Sequence, residues 1–307
     1  MRDIKRRRES IQSTGQITKA MKLVSTVKLQ KAKNKAENTK PYFEHMYKAV
    51  NAMLSKSGNI LHPYLESGKS EKKGIIVVTS NRGLAGGYNS NIIKMVLGSG
   101  IRKEDAIIYA VGRKGKDTLA RRGYMIAEDY SEVMNEPIFS DAMNIGRKVL
   151  QDFAEGKIGE IYLVYTEFKN TVTHIPTWLK LLPVVVSEEA TGDETDNLTL
   201  MNYEPEAEEA LDLIIPKYIN SLIYGGLMQS FASENGARMQ AMDSATNNAE
   251  EMISSLGSMR HLEAGLATLQ EVKPQGGWII HRREQALRKK TGSGLPLALI
   301  WHIDIWV

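Results

Sequence analysis

The 307-residue chain contains no cysteine. Disulfide bonds, thiolate metal sites and thiol-based redox control are therefore excluded as features of this sequence. Long apolar runs are also missing, since no stretch approaches the ~20 residues that a membrane-spanning helix needs. The basic start of the chain is not followed by an apolar segment, so it does not resemble a secretory signal. These absences predict an intracellular protein.

Charge is unevenly distributed along the chain, although the net charge is only +4. Residues 1–40 contain twelve Lys or Arg and three Asp or Glu, whereas residues 187–212 contain ten acidic residues and no basic ones. Such segregation predicts separate surfaces for separate partners. Nucleic acid is a disfavoured partner for the basic segment, because almost no aromatic residues lie among its basic ones.

The N-terminal sixth of the chain, residues 1–56, predicts one very long helix that only Gly15 and Pro41 interrupt. Apolar residues in its first half recur mostly three, four or seven positions apart, at Ile4, Ile11, Ile17, Met21, Val24 and Val27. A stripe this narrow is typical of a coiled-coil seam rather than of a broad core-facing surface.

A second long helix is predicted over residues 205–254. Pro205 suits its first turn, and small or flexible residues continue a seam along it at Met239, Met242, Ala245, Ala249 and Met252. Two long helices at opposite ends of a chain bury both seams when they pair with each other. We therefore expect an antiparallel coiled coil.

Between these helices, residues 73–200 predict a Rossmann-like α/β domain. Short β-branched runs at 74–79, 106–111, 160–165 and 177–186 alternate with helical stretches at 90–97, 114–122 and 138–155. Alternation of this kind predicts a parallel sheet covered by helices. Because Pro183 lies in the last run, we expect that strand to be an edge strand or to be broken there.

The glycine-rich segment NRGLAGGYN at 81–89 follows a predicted strand and precedes a helix. That context is compatible with a phosphate or nucleotide site. Its G-x-x-G-G spacing matches neither standard nucleotide-binding motif, which favours a structural turn. Elsewhere the sequence shows no metal-ligand spacing and no acid–base pair. We therefore expect no catalytic residue, no cofactor and no metal.

The last 53 residues, 255–307, differ in composition from the rest. Gly257, Gly265 and Pro274 are expected to break the long helix, and three of the four tryptophans lie here. We interpret residues 255–307 as an atypical tail, either disordered or the product of a shifted reading frame.

Three segments resemble the gamma subunit of the rotary, F-type ATP synthase. They are IQSTGQITKAMKLVS at 11–25, TSNRGLAGGYN at 79–89 and SENGARMQAMDSATNNA at 233–249. The resemblance covers residues 1 to about 254. Members of that family usually continue as a helix beyond this point, and the tail here departs from their pattern.

The resemblance implies a non-catalytic rotor shaft. Its coiled coil would enter a ring of three alpha and three beta subunits, and its α/β domain would lie at the base with the epsilon subunit and the membrane c-ring. Proton flow would turn the shaft and so drive ATP synthesis at the beta subunits. The shaft subunit would also regulate ATPase activity and proton flow. The expected location is the cytoplasmic side of the cell membrane, with membrane association only through the complex.

The same resemblance implies that Met21, Lys22, Glu234, Arg238 and Gln240 are torque-bearing or seam positions. For Met21, plain coiled-coil packing is the favoured alternative. Two other functions stay open at this point: an α/β nucleotide-binding enzyme that uses the glycine turn, and a coiled-coil adaptor with no rotary role.

Overall fold

A computed structural model describes residues 2–56, 62–184 and 207–270. The helices are α1 (Arg2–Lys56), α2 (Tyr88–Leu97), α3 (Arg113–Arg121), α4 (Phe139–Ala154) and α5 (Ala207–Gln270). The strands are β1 (Lys73–Val78), β2 (Ala106–Val111), β3 (Met125–Asp129), β4 (Glu160–Phe168) and β5 (His174–Leu182). Two short 3₁₀ turns precede β2 and α4. None of the described helices is both long enough and apolar enough to cross a membrane.

The five strands form one sheet in the order β3-β2-β1-β4-β5. The first four are parallel, and β5 pairs antiparallel with β4 at the edge. The chain winds outward from β1 in one direction and then returns to place β4 on its other side. This is the doubly wound, Rossmann-like arrangement, so the predicted fold class is confirmed.

Helices cover both faces of the sheet, and each face has its own apolar core. One core joins alternate residues of β1, β2 and β4 to α4, α5 and the inner side of α1. The other joins the remaining alternate residues to α2 and α3. Strands buried on both faces read as continuous apolar runs rather than as alternating ones, which is why β1 and β2 are clear in the sequence.

Helix α5 approaches the sheet closely because glycine faces the strand. A Cβ atom on Gly226 would lie 2.7 Å from Cδ2 of Leu163 on β4. Leu163 is fully buried, so a side chain at position 226 would push the helix away. Gly226 thus lowers the helix propensity of α5 but permits its close packing against β4.

The two long helices pair antiparallel, as predicted. Gly15 faces Ala249, the hydroxyl oxygens of Thr18 and Thr246 are 2.8 Å apart, and Lys22 Nζ lies 2.5 Å from an oxygen of Asp243. Positions rise along α1 as they fall along α5, which only an antiparallel pair produces.

The predicted seam of α1 is only half right. Ile4, Ile11 and Met21 are half-buried, but Ile17, Val24 and Val27 are 58%, 58% and 70% exposed. The inward residues alternate three and four apart instead, and most are small or polar: Gly15, Thr18, Lys22, Ser25, Leu29 and Ala32. Heptad spacing fixes which residues share a face, but apolarity alone did not identify the face that meets α5. On α5, Met242 and Ala249 are buried as predicted.

Several element boundaries differ from the prediction. Strand β3 was not predicted, because its sequence MIAED is half polar and the strand lies at an edge. Strand β5 is an edge strand, as expected, but it ends at Leu182 before Pro183. Pro41 and Pro216 both lie inside helices.

Helix α5 does not end near residue 254. It continues through Gly257 and Gly265 to Gln270. A glycine costs about 1 kcal/mol in a helix, which a 64-residue helix absorbs. Residues 12–250 form one compact unit, and the described residues before and after it, 2–11 and 251–270, belong to a second. In that second unit Leu256 is buried, while Met252 and Met259 are exposed. The remainder of the predicted tail, 271–307, and the acidic loop at 187–206 lie outside the described residues.

Candidate functional site

The first of the expected positions, Lys22, joins the two long helices. Its ammonium group donates a hydrogen bond to Asp243 across the seam. The two side chains are 40% and 47% exposed, so water screens the pair and its contribution to stability is small. The ion pair therefore fixes the alignment of the helices more than it holds them together. Met21, beside it, is half-buried.

Glu234 and Arg238 form a buried ion pair one turn apart on α5. Arg238 Nη2 lies 2.8 Å from Oε1 of Glu234. Burial raises the pKa of Glu234, and the charges of Arg238, Lys28 and Arg82 oppose this only in part. The second carboxylate oxygen, Oε2, is buried and has no hydrogen-bond partner among the described residues.

Arg238 also reaches the glycine turn that follows β1. It donates a hydrogen bond to the carbonyl oxygen of Gly83, 3.4 Å away. The turn itself is closed by Ser80 and Asn89, since the Ser80 amide donates to the Asn89 side chain at 2.9 Å. Leu84 and Gly86 in this turn have positive φ, a conformation that glycine tolerates best. The described contacts thus attach the turn to α5.

Strand β4 is joined to α5 through serine hydroxyls. The Thr166 amide donates to Ser230 Oγ at 3.1 Å, and Ser233 Oγ donates to the Thr166 carbonyl oxygen at 3.2 Å. These contacts are buried, where a hydrogen bond is costly to lose. These contacts were not predicted, although two serines three apart in a helix of small residues are a signal for them.

Helix α1 contacts the α/β domain through lysines. Lys31 and Lys35 lie 2.6 Å and 3.5 Å from Oε1 of Glu136. The hydrogen bond and charge of Lys31, with those of Lys35, lower the pKa of Glu136. Lys33 places its ammonium group 5.2 Å from the ring centre of Phe168, within cation–π distance.

The five expected positions therefore fall into two groups. Lys22, Glu234 and Arg238 make contacts within the chain that connect α1, α5 and the glycine turn. Gln240 is exposed and Met21 half-buried, and neither joins these contacts. Asp243, which the sequence analysis did not select, is the partner of Lys22.

The described contacts attach both long helices to the α/β domain at separate points. Fold and contacts together define a protein of paired long helices fixed to a Rossmann-like base.

Comparison with known proteins identifies the family. A family model described as ATP synthase matches residues 1–261. The ATP synthase gamma chain of Lachnoclostridium phytofermentans is 73% identical over 261 residues, which cover 83% of this chain and 90% of that protein. The ATP synthase gamma chain, sodium ion specific, of Acetobacterium woodii is 38% identical over 287 residues, covering 89% of this chain and 95% of that protein.

Solved structures agree with this assignment. The central stalk and c-ring of the Tetrahymena thermophila mitochondrial ATP synthase contains a chain that is 25% identical, with a TM-score of 0.56, covering 75% of this chain and 99% of that one. The rotor of the Euglena gracilis mitochondrial ATP synthase contains one with a TM-score of 0.63 at 16% identity, covering 87% and 98%. The second supports the fold alone.

The chain belongs to the ATP synthase gamma chain family. Its relatives are named as one chain of a larger complex, so the expected role as a subunit of ATP synthase, in its central stalk, is confirmed. Similarity to the family model reaches residue 261, beyond the point where the sequence analysis ended the resemblance.

Proposed function

We propose that the chain is a rotor shaft that couples ion-driven rotation to ATP synthesis at surrounding beta subunits. The observation that carries this proposal is the arrangement of α1, which turns a small and polar face toward α5 and an apolar face outward. An isolated helix pair gains nothing from this arrangement. It is useful when another protein surrounds the pair.

The outward face of α1 is an apolar stripe formed by Ile17, Leu23, Val24 and Val27, all more than half exposed. Exposed apolar residues that cluster mark a surface for a partner. Because the stripe is narrow and lies among lysines and other polar residues, contact with the partner is weak enough to permit sliding. A ring of three alpha and three beta subunits is the partner that we propose.

Rotation requires the shaft and its base to turn as one body. The buried pair of Glu234 and Arg238 joins α5 to the glycine turn, while Lys31 joins α1 to the domain. We propose that Lys22, Glu234 and Arg238 resist twisting inside the rotor. Met21 and Gln240 would instead face the partner subunits.

The α/β domain would contact the epsilon subunit and the membrane c-ring. The similar Tetrahymena chain comes from a structure of a central stalk with its c-ring, which supports the c-ring as a partner. The chain would then lie on the cytoplasmic side of the cell membrane as a peripheral subunit, held there only through the complex.

Reconstitution with alpha and beta subunits tests the proposal. The full chain should co-elute with the alpha–beta ring and support ATP hydrolysis. Val24→Asp combined with Val27→Asp should lower hydrolysis at least tenfold, because two carboxylates would replace the apolar contact. The matched control, Gln30→Asp, alters a polar exposed residue of the same helix and should retain the native rate. Equal rates in both variants would exclude the stripe as the bearing surface.

A further inference from the structure

The tip of the β4–β5 hairpin meets helix α5 through a histidine. His174 begins β5 and lies opposite Phe168 on β4, with the centres of the two rings 5.8 Å apart. The imidazole also packs against Gly236 of α5. A Cβ atom at position 236 would lie 2.9 Å from Cε1 and 3.4 Å from Nε2 of this ring. The glycine therefore gives the ring its room against the helix.

The surroundings of His174 suit a neutral ring and not a charged one. Both ring nitrogens are buried, and neither makes a hydrogen bond of ordinary geometry with any described residue. The backbone of Thr171 favours a proton on one of them, and a neutral imidazole carries one N–H. An imidazolium carries two, so its second N–H would be buried without an acceptor, which is costly for a charged group.

Burial, and not a neighbouring charge, controls the protonation of this histidine. Burial lowers the pKa of His174, and the backbone of Thr171 opposes this only in part. Burial also raises the pKa of Tyr88 on α2, which stays neutral. The charged residues on the elements packed around His174 do not contribute to its pKa shift: Lys33 on α1, Glu167 and Lys169 in the hairpin, and the ion pair of Glu234 with Arg238 on α5.

An open cavity of about 330 Å³ borders the histidine. His174 shares its wall with Tyr88 of α2, Val172 at the tip of the hairpin and Gln240 of α5. Val172 is 67% exposed, so this tip faces water. A rotation of the imidazole away from Gly236 and into the cavity would hydrate its nitrogens, and it needs no change in the pairing of β4 with β5.

We propose that His174 is an acid-released latch between the β4–β5 hairpin and α5. The neutral ring packs on Gly236 and holds the hairpin against the helix, whereas the protonated ring turns into the cavity and releases it. Because the folded chain favours the neutral form, the contact is fully formed well above pH 6.5, the ordinary pKa of histidine, and weakens as the pH falls below that value. The latch is independent of the proposed rotary role, since all its parts lie within one compact unit of the chain.

Hydrogen exchange of the full-length chain, followed by mass spectrometry of its peptides, tests the latch. Protection is measured relative to the exchange rate of an unfolded peptide at the same pH, which removes the intrinsic effect of pH. From pH 7.5 to pH 5.5 the protection of hairpin residues 166–175 should fall between about threefold and tenfold, because a released histidine at pH 5.5 is charged about ten times as often as it is neutral. Peptides from β1 and β2 should keep their protection.

Variants separate the charge of the ring from its packing. His174→Phe keeps a ring opposite Phe168 and cannot bind a proton, so its hairpin protection should not depend on pH. His174→Gln, which is smaller and also neutral, should behave in the same way. Gly236→Ala should lower hairpin protection already at pH 7.5, because its methyl group meets the ring, even though alanine favours a helix by about 1 kcal/mol over glycine.

The matched control is His261→Gln, at an exposed histidine of α5, which should keep the native pH dependence. The proposal is overturned if the native hairpin keeps its protection at pH 5.5, or if it loses protection in step with β1 and β2. It is also overturned if both neutral variants of His174 retain the native pH dependence, or if Gly236→Ala is as well protected as the native chain at pH 7.5.

Discussion

Thr18 of α1 and Thr246 of α5 place their hydroxyl oxygens 2.8 Å apart within the seam of the helix pair. Each hydroxyl also lies within hydrogen-bond distance of a carbonyl of its own helix, at Gly15 and Met242. Short polar residues thus meet where a coiled coil usually packs Leu or Ile. Close approach and directional contacts set the register of the helices, and the apolar residues of α1 are left for the outer surface.

The spacing of the seam can be tested at Gly15. A Cβ atom there would lie 3.4 Å from Cβ of Ala249, an ordinary contact distance. Gly15→Ala should therefore stabilise the chain by up to about 1 kcal/mol through helix propensity. Gly15→Leu should destabilise it by about 1–3 kcal/mol, because the extra atoms force the helices apart. Urea unfolding of both variants provides the measurement, and equal effects would contradict close packing.

Contact between α5 and the sheet can be tested at Gly226. Gly226→Ala should destabilise the chain by about 1–3 kcal/mol, because the new methyl group meets Leu163. Gly257 lies in the same helix with open space around it. Gly257→Ala is the matched control and should be neutral or stabilising by up to about 1 kcal/mol. If both variants gain stability, the packing described for Gly226 is wrong.

The buried ion pair on α5 predicts an asymmetry between its two members. Arg238→Met leaves Glu234 buried without its partner and should cost about 3 kcal/mol. Glu234→Gln should cost less, because Arg238 keeps its hydrogen bond to the Gly83 carbonyl oxygen and the amide oxygen of glutamine can still accept from it. The double variant should cost less than the sum of the single ones, as measured by a double-mutant cycle in urea. Additive effects would show that the two side chains are not coupled.

Glu160 predicts a loss of stability in acid. Burial alone would raise its pKa, but hydrogen bonds from Lys180, Tyr162 and Lys73 outweigh this and lower the pKa to about 2. A carboxyl with a depressed pKa stabilises the folded state above its unfolded pKa of 4.5. That stability is lost as the pH falls from 4.5 toward 2.

The unfolding free energy between pH 5 and pH 2.5 checks this prediction. Glu160→Gln should make its pH dependence shallower than that of the native chain. The control Glu66→Gln, at an exposed position, should leave the slope unchanged. If the unfolding free energy of Glu160→Gln depended on pH as steeply as that of the native chain, the role assigned to this carboxylate would be contradicted.

Sequence reasoning succeeded where one physical pattern dominates. Strands β1 and β2 are buried on both faces, so runs such as Gly74–Val78 stand out against polar surroundings. The pairing of the two long helices could be predicted from their length alone. Strand β3 was missed because an edge strand needs little apolar surface, and Met125 within it is itself exposed.

The site was harder to predict for a different reason. Apolar periodicity finds a buried face only when apolar residues are the ones that become buried. In α1 the apolar residues Ile17, Val24 and Val27 are exposed, and we propose that a partner covers them. The polar residue Thr18 is therefore buried and the apolar residue Val24 is exposed, which is the reverse of what their hydropathy predicts. The Lys22–Asp243 pair and the cavity at Tyr88 join residues far apart in sequence, which only the fold brings together.

A reversible cross-link through the seam tests the central claim most directly. The chain has no cysteine, so Thr18→Cys with Thr246→Cys introduces a single possible disulfide between α1 and α5. ATP hydrolysis by the reconstituted complex should be the same with the disulfide formed and reduced, because the helices turn as one shaft. Activity that falls when the disulfide forms and returns on reduction would show that the helices move against each other, which contradicts the account.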